Sequence, residues 1–103
     1  MTKTTADDLI ALVRAYHPRT NEALLRDAFA FGAEMHEGQF RHSGEPYFTH
    51  PVAVTVILAG QQMDDATLVT ALLHDTIEDT KVTAEEIEKE FGKEILFLVE
   101  GVT

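Results

Sequence analysis

The chain has 103 residues and no cysteine, which allows one small domain and excludes both a disulfide framework and a thiolate metal site. Eighteen acidic against eight basic residues give a formal net charge of −10. Such a field repels a nucleic-acid backbone and excludes binding to it by charge alone; any phosphate ligand needs a cation or local Arg and His to reverse it.

The period along the chain is helical, and the expected class is all-α, with five to six short helices. Leu9, Ile10, Leu12, Val13 and Tyr16 form a first stripe over residues 6–16, with Thr5 as N-cap and Asp7 and Asp8 in the first turn. Pro18 stops that helix near His17. A second runs from near Asn21 to about Glu37, with Leu24, Leu25, Ala28, Phe29, Gly32 and Met35 on one face. Residues 38–50 hold two glycines and a proline and read as a loop, the longest irregular stretch, of the kind that usually carries function. A third helix is expected from Pro51 to about Gly60, and a fourth from Asp64 or Asp65 through Leu68, Val69, Leu72, Leu73 and Ile77. Thr83-Ala-Glu-Glu86 reads as a capping box opening a fifth that closes at Gly92; a sixth begins near Lys93. Val99 and Val102 are expected to want partners beyond residue 103, so the domain reads as C-terminally truncated, with exposed apolar surface and self-association as a consequence. No apolar run approaches the roughly 20 residues that span a bilayer. The first eight residues lack the apolar core of a signal peptide, and with the lack of cysteine this fits a cytoplasmic protein.

The chemistry concentrates in His74-Asp75-Thr76-Ile77-Glu78-Asp79. If one helix continues through this run, roughly 100° per residue puts His74, Asp75, Glu78 and Asp79 on one side and Val69, Leu73 and Ile77 on the other. Three carboxylates so close repel unless a cation neutralises them. Histidine and carboxylate without sulfur suit Mn²⁺, Fe²⁺ or Zn²⁺. His50, at the end of the loop, is a second imidazole within the candidate set. The bland alternative is a solvated acidic helix end with chance histidines. His36 reads more simply as a partly buried helix histidine, and His17 as a plain helix terminus. In the loop, Arg41 and His42 are rare positive charge, and Arg41 and Tyr47 can stack on a base or bind phosphate. The residues alone leave that open against a solvated turn whose aromatics plug the core.

Four blocks in order, Gln39-Phe-Arg-His-Ser-Gly-Glu-Pro-Tyr-Phe-Thr-His-Pro51, Ala71-Leu-Leu-His-Asp-Thr-Ile-Glu-Asp-Thr80, Phe91-Gly-Lys-Glu-Ile95 and Val99-Glu-Gly-Val-Thr103, resemble the N-terminal hydrolase domain of the RelA/SpoT homologue family, one of the HD metal-dependent phosphohydrolases. The resemblance covers residues 20–103, and the domain is taken as 1–103. It implies an HD helical bundle, with His50, His74 and Asp75 as ligands of Mn²⁺ and Glu78 and Asp79 as the pair that positions and activates the attacking water. It implies that the loop with Arg41, His42, Ser43 and Tyr47 holds the guanine nucleotide, although His42 stands where the family has lysine. The implied reaction is hydrolysis of the 3′-pyrophosphate of (p)ppGpp to GDP or GTP and pyrophosphate. The implied setting is a bifunctional synthetase/hydrolase of the stringent response, whose synthetase and regulatory domains, with a fourth aspartate ligand, lie beyond Thr103. A stand-alone small alarmone hydrolase and a non-catalytic nucleotide-binding or regulatory HD module are the alternatives.

Overall fold

Residues 4–102 are described by the computed structural model. Residues 1–3, the start of the segment that lacks a signal-peptide core, and Thr103, last residue of the fourth block, lie outside them. The helices are α1 Ala6–Tyr16, α2 Glu22–Met35, α3 Thr49–Gly60, α4 Asp65–Leu73, α5 Thr76–Asp79, α6 Ala84–Phe91 and α7 Lys93–Gly101. Six have eight residues or more and α5 is a single turn, so the all-α expectation holds. Among the described residues the nearest thing to a strand is one antiparallel bridge, Phe40 with Pro46.

Local chemistry explains most boundaries. Thr5 Oγ1 accepts from the Asp8 amide at 3.2 Å while the Asp8 carboxylate accepts from the Thr5 amide at 3.0 Å, so α1 opens on a reciprocal box and not on a cap alone. The box expected at α6 is half made. Thr83 Oγ1 accepts from the Glu86 amide, but the Glu86 carboxylate meets the Thr83 hydroxyl at 3.3 Å. Asn21 caps α2 through the Leu24 amide at 3.1 Å. That helix ends at Met35, two residues earlier than expected, and Gly38 follows at φ +84°. Helix α3 starts two residues before Pro51. Proline is tolerated there because the first four amides of a helix have no intrahelical acceptor. His50 therefore sits inside the first turn of α3.

Helix α4 is the centre of the core. Leu68, Val69, Leu72 and Leu73 are fully buried, each contributing roughly 1.5–3 kcal/mol by leaving water, and α2, α3 and α7 pack around them. Val99 on α7 is completely buried against this core, contrary to the expectation that it needs partners further along the chain; Val102, 61% exposed, is not. The loop is anchored by Phe48, whose ring meets Phe29 edge-on at 5.3 Å and lies over Gly32. A Cβ on Gly32 would collide with Phe48 Cε1 and come within 3.1 Å of the Leu72 carbonyl. The missing side chain is what lets α2, the loop and the end of α4 meet.

Candidate metal centre

The helix that the sequence suggests through residue 79 is interrupted at His74 and Asp75. The cause is side-chain competition for backbone carbonyls. His74 Nδ1 donates to the Ala71 carbonyl at 2.6 Å, and Thr76 Oγ1 donates to the Leu73 carbonyl at 2.7 Å. Those oxygens are the acceptors that the amides four residues on would use. Ordinary helical bonding resumes with Asp79 N to Asp75 O at 2.9 Å and Thr80 N to Thr76 O at 3.1 Å. The expectation of one continuous ligand face is thus corrected: His74 and Asp75 form a corner, and Glu78 and Asp79 sit on the separate turn α5.

The corner creates a donor cluster. Donor atoms of His50, His74 and Asp75 all lie within 4.8 Å of one another, and all three residues are partly buried. His50 comes from the first turn of α3, the other two from beyond the end of α4. With Nδ1 of His74 committed to a carbonyl, the neutral ring keeps its lone pair on Nε2. That atom faces Asp75 Oδ2 at 3.3 Å. Two lone pairs at this distance repel unless a proton or cation lies between them. The same distance suits two donors about 2.1 Å from a shared ion. Residue type, tautomer and spacing therefore fit a divalent metal, and the backbone bond of His74 is the usual support for a metal-binding imidazole.

Tyr47 joins this group to the acidic turn. Its hydroxyl lies 2.9 Å from Asp75 Oδ2 and 3.2 Å from Asp79 Oδ2. One phenolic proton thus serves two carboxylates. Burial, the hydrogen bond to Asp75 and the negative charge of Asp75 and Asp79 push this phenol up to about 12. Glu78 and Asp79 are exposed, and neither is among the three converging donors.

The loop is a miniature hairpin. Arg41 N bonds Glu45 O and Gly44 N bonds Arg41 O, both at 2.8 Å, with Gly44 at φ +89°. Arg41, His42 and Ser43 form its exposed tip. A cavity of about 630 Å³ lies beside it, lined by Arg41, Phe40, Phe29, Phe48, His36 and His50 among others. Of the converging donors only His50 lines it.

A model of the HD domain matches residues 28–103. The chain belongs to the HD-domain family. Among curated relatives, the Rsh GTP pyrophosphokinase of Brucella melitensis is 50% identical over 96 residues, covering 93% of this chain and 13% of the relative. The bifunctional (p)ppGpp synthase/hydrolase SpoT of Escherichia coli is 50% identical over 97 residues, covering 94% of this chain and 14% of the relative. A GTP pyrophosphokinase of Myxococcus xanthus is 48% identical over 91 residues, 88% of this chain and 12% of the relative. The HD domain described here thus spans about one-eighth of the length of these RelA/SpoT-type relatives.

Two residues of this HD domain went unremarked as site residues in the sequence. Gln39 Nε2 donates to the Asp79 carbonyl at 2.6 Å, and His36 Nδ1 lies 2.9 Å from Gln39 Oε1. The available signal was a histidine ending a helix with a glycine two residues later, which folds the next side chain back beneath it.

Proposed function

We propose that this HD domain hydrolyses the 3′-pyrophosphate of (p)ppGpp, releasing pyrophosphate and GDP or GTP, with Mn²⁺ as cofactor. We place this activity in the cytoplasm, within a longer bifunctional synthetase/hydrolase. The observation that carries the reading is the convergence of His50, His74 and Asp75, with His74 held in the tautomer a metal needs. These three residues would hold the ion, which when bound supplies Lewis acidity and lowers the pKa of coordinated water.

The remaining roles belong to the chain's own side chains. Asp79 and Glu78 stand at the solvent edge, where they can orient an attacking water and take its proton. Tyr47 donates its single proton to Asp75 or Asp79 and so holds the acidic turn against the donor cluster. Arg41, His42 and Ser43 at the hairpin tip supply positive charge and hydrogen bonds for a guanine nucleotide that the −10 net charge would otherwise repel. Because the Tyr47 hydroxyl is engaged, its contribution to base binding falls to the ring.

A non-catalytic HD module is the second reading, favoured by the position of Glu78 outside the converging donors. Mn²⁺ titration followed by electron paramagnetic resonance, beside pyrophosphate release from ppGpp, separates the two. Catalysis predicts binding lost in His74→Ala, and turnover lost but binding kept in Asp79→Ala. Wild-type protein that binds Mn²⁺ and ppGpp without releasing pyrophosphate establishes the non-catalytic module instead.

A further inference from the structure

His36 is 2% exposed, and its Nε2 is a buried polar atom with no hydrogen-bond partner among the described residues. An orphaned buried nitrogen is costly, and the cost needs a reason. Its neighbours give one. Gln39 must present its amide nitrogen to the Asp79 carbonyl, 2.6 Å away, because its oxygen there would face another acceptor. That orientation turns Gln39 Oε1 toward His36 Nδ1 at 2.9 Å. Nδ1 therefore carries the ring proton, and the neutral ring is left with a bare lone pair on Nε2. The backbone of Gln39 is tied at both ends as well, its amide donating to the His36 carbonyl at 3.0 Å and its carbonyl accepting from the Tyr47 amide at 2.8 Å. The His36 ring lies against the ring of Tyr47, centroids 4.9 Å apart at 30°. Tyr47 in turn reaches the Asp79 carboxylate.

We infer that His36 is a positioning residue for the acidic turn: through Gln39 it pins the backbone of Asp79, and through the Tyr47 ring it steadies the phenol that holds the Asp79 side chain. The inference rests on the proposed role of Asp79 for its catalytic meaning, but the linkage itself does not. Asp79 is exposed and belongs to a single helical turn, so its placement depends on tethers from outside α5. His36, at the end of α2 and rooted in the core, is the fixed point to which both tethers run.

Long-range ¹H–¹⁵N spectra report the His36 tautomer, and amide hydrogen exchange reports the turn; neither needs substrate. Wild type is expected to show the Nδ1–H tautomer. In Gln39→Met the proton leaves Nδ1, and exchange at Asp79 and Thr80 rises about tenfold, the worth of one hydrogen bond, while Leu72 in α4 is unchanged. Gln39→Glu keeps an acceptor for His36 but loses the donor to Asp79, so it loosens the turn and leaves the tautomer alone. His36→Leu loosens the turn as Gln39→Met does, and a folded His36→Leu with wild-type exchange at Asp79 and Thr80 overturns the inference; if it does not fold, His36→Asn is measured in its place against the same two outcomes. Where pyrophosphate release is measured, kcat of the two Gln39 variants falls roughly tenfold, the lower end for lost outer partners, with Mn²⁺ binding unchanged. An Nε2–H tautomer in wild type, or exchange at Asp79 and Thr80 unaltered in both Gln39 variants, overturns the inference. Absence of wild-type turnover with the expected tautomer and exchange overturns the proposed reaction and leaves the linkage standing.

Discussion

Helix α4 carries an aspartate beside a histidine at each end, and the two pairs behave differently. Asp65 lies 3.8 Å from His17 and Asp75 3.3 Å from His74, with side chains 19% and 17% exposed. Burial does not distinguish them; the donor count does. Asp65 has both oxygens occupied, Oδ1 by the Thr20 hydroxyl and Oδ2 by the Asn21 amide at 2.9 Å. It also stands where the helix dipole favours negative charge. Asp75 shares one phenolic proton with Asp79 and lies past the opposite end, where the dipole opposes it, with Glu78 and Asp79 close in sequence. One end is a staple between the α1–α2 connection and α4. The other has negative charge and lone pairs in surplus, and that surplus is what makes it the candidate cation site.

The contrast can be broken most sharply with His74→Ala and His17→Ala. The first is expected to weaken Mn²⁺ binding by more than the roughly 10–100-fold that loss of an outer partner costs, and the second not at all; equal losses in a titration followed by electron paramagnetic resonance would erase the distinction. Asp65→Ala should destabilise the fold by about 1.5–3 kcal/mol in urea melts, the range for hydrogen bonds to a charged group. Gly32→Ala acts at the other end of α4, through Phe48 and the Leu72 carbonyl. A cost of roughly 2 kcal/mol is expected there from overpacking, with Mn²⁺ affinity reduced because Phe48 anchors the segment carrying His50. Asp75→Asn is expected to leave metal-free stability unchanged or raise it by under about 1 kcal/mol, since it removes charge from the unfavourable end of the dipole; a loss as large as that of Asp65→Ala would contradict the comparison.

The smallest effect is on pH. Hydrogen bonds from Thr67 hold the Asp64 carboxyl below its ordinary range. A depressed folded-state value means the cap contributes in full above the unfolded-state carboxylate range and loses its contribution as pH falls through the lower folded value. Urea midpoints of wild type and Asp64→Ala should therefore converge in acid and separate toward neutrality.

The helices were legible in the sequence wherever a cap or a breaker marked them. Thr5, Asn21, Asp64 and Gly92 stand at or beside the ends they announce, and Pro18 closes α1 as its steric rule demands. The break at residue 74 was not legible, because periodicity counts apolar positions and is blind to a histidine and a threonine taking backbone acceptors. His50, His74 and Asp75 could be nominated from residue type and from family resemblance. Their mutual approach depends on α3 starting before its proline, which a rule placing proline first in the helix misplaces by two residues. His36 was readable as a partly buried helix histidine, but its full burial and its bond to Gln39 need the backbone reversal at Gly38 to be known.

The corner at His74–Asp75 also divides the labour of the site along the chain. Two of the three converging donors are continuous with α4 and its core, while the acidic pair rides on a four-residue turn that begins afresh after the break. The two parts are separate along the chain yet joined by the Tyr47 proton. A substitution at Glu78 can retune acidity or reach while the three converging donors stay in place, whereas one at Asp79 also changes the proton that Tyr47 shares with Asp75.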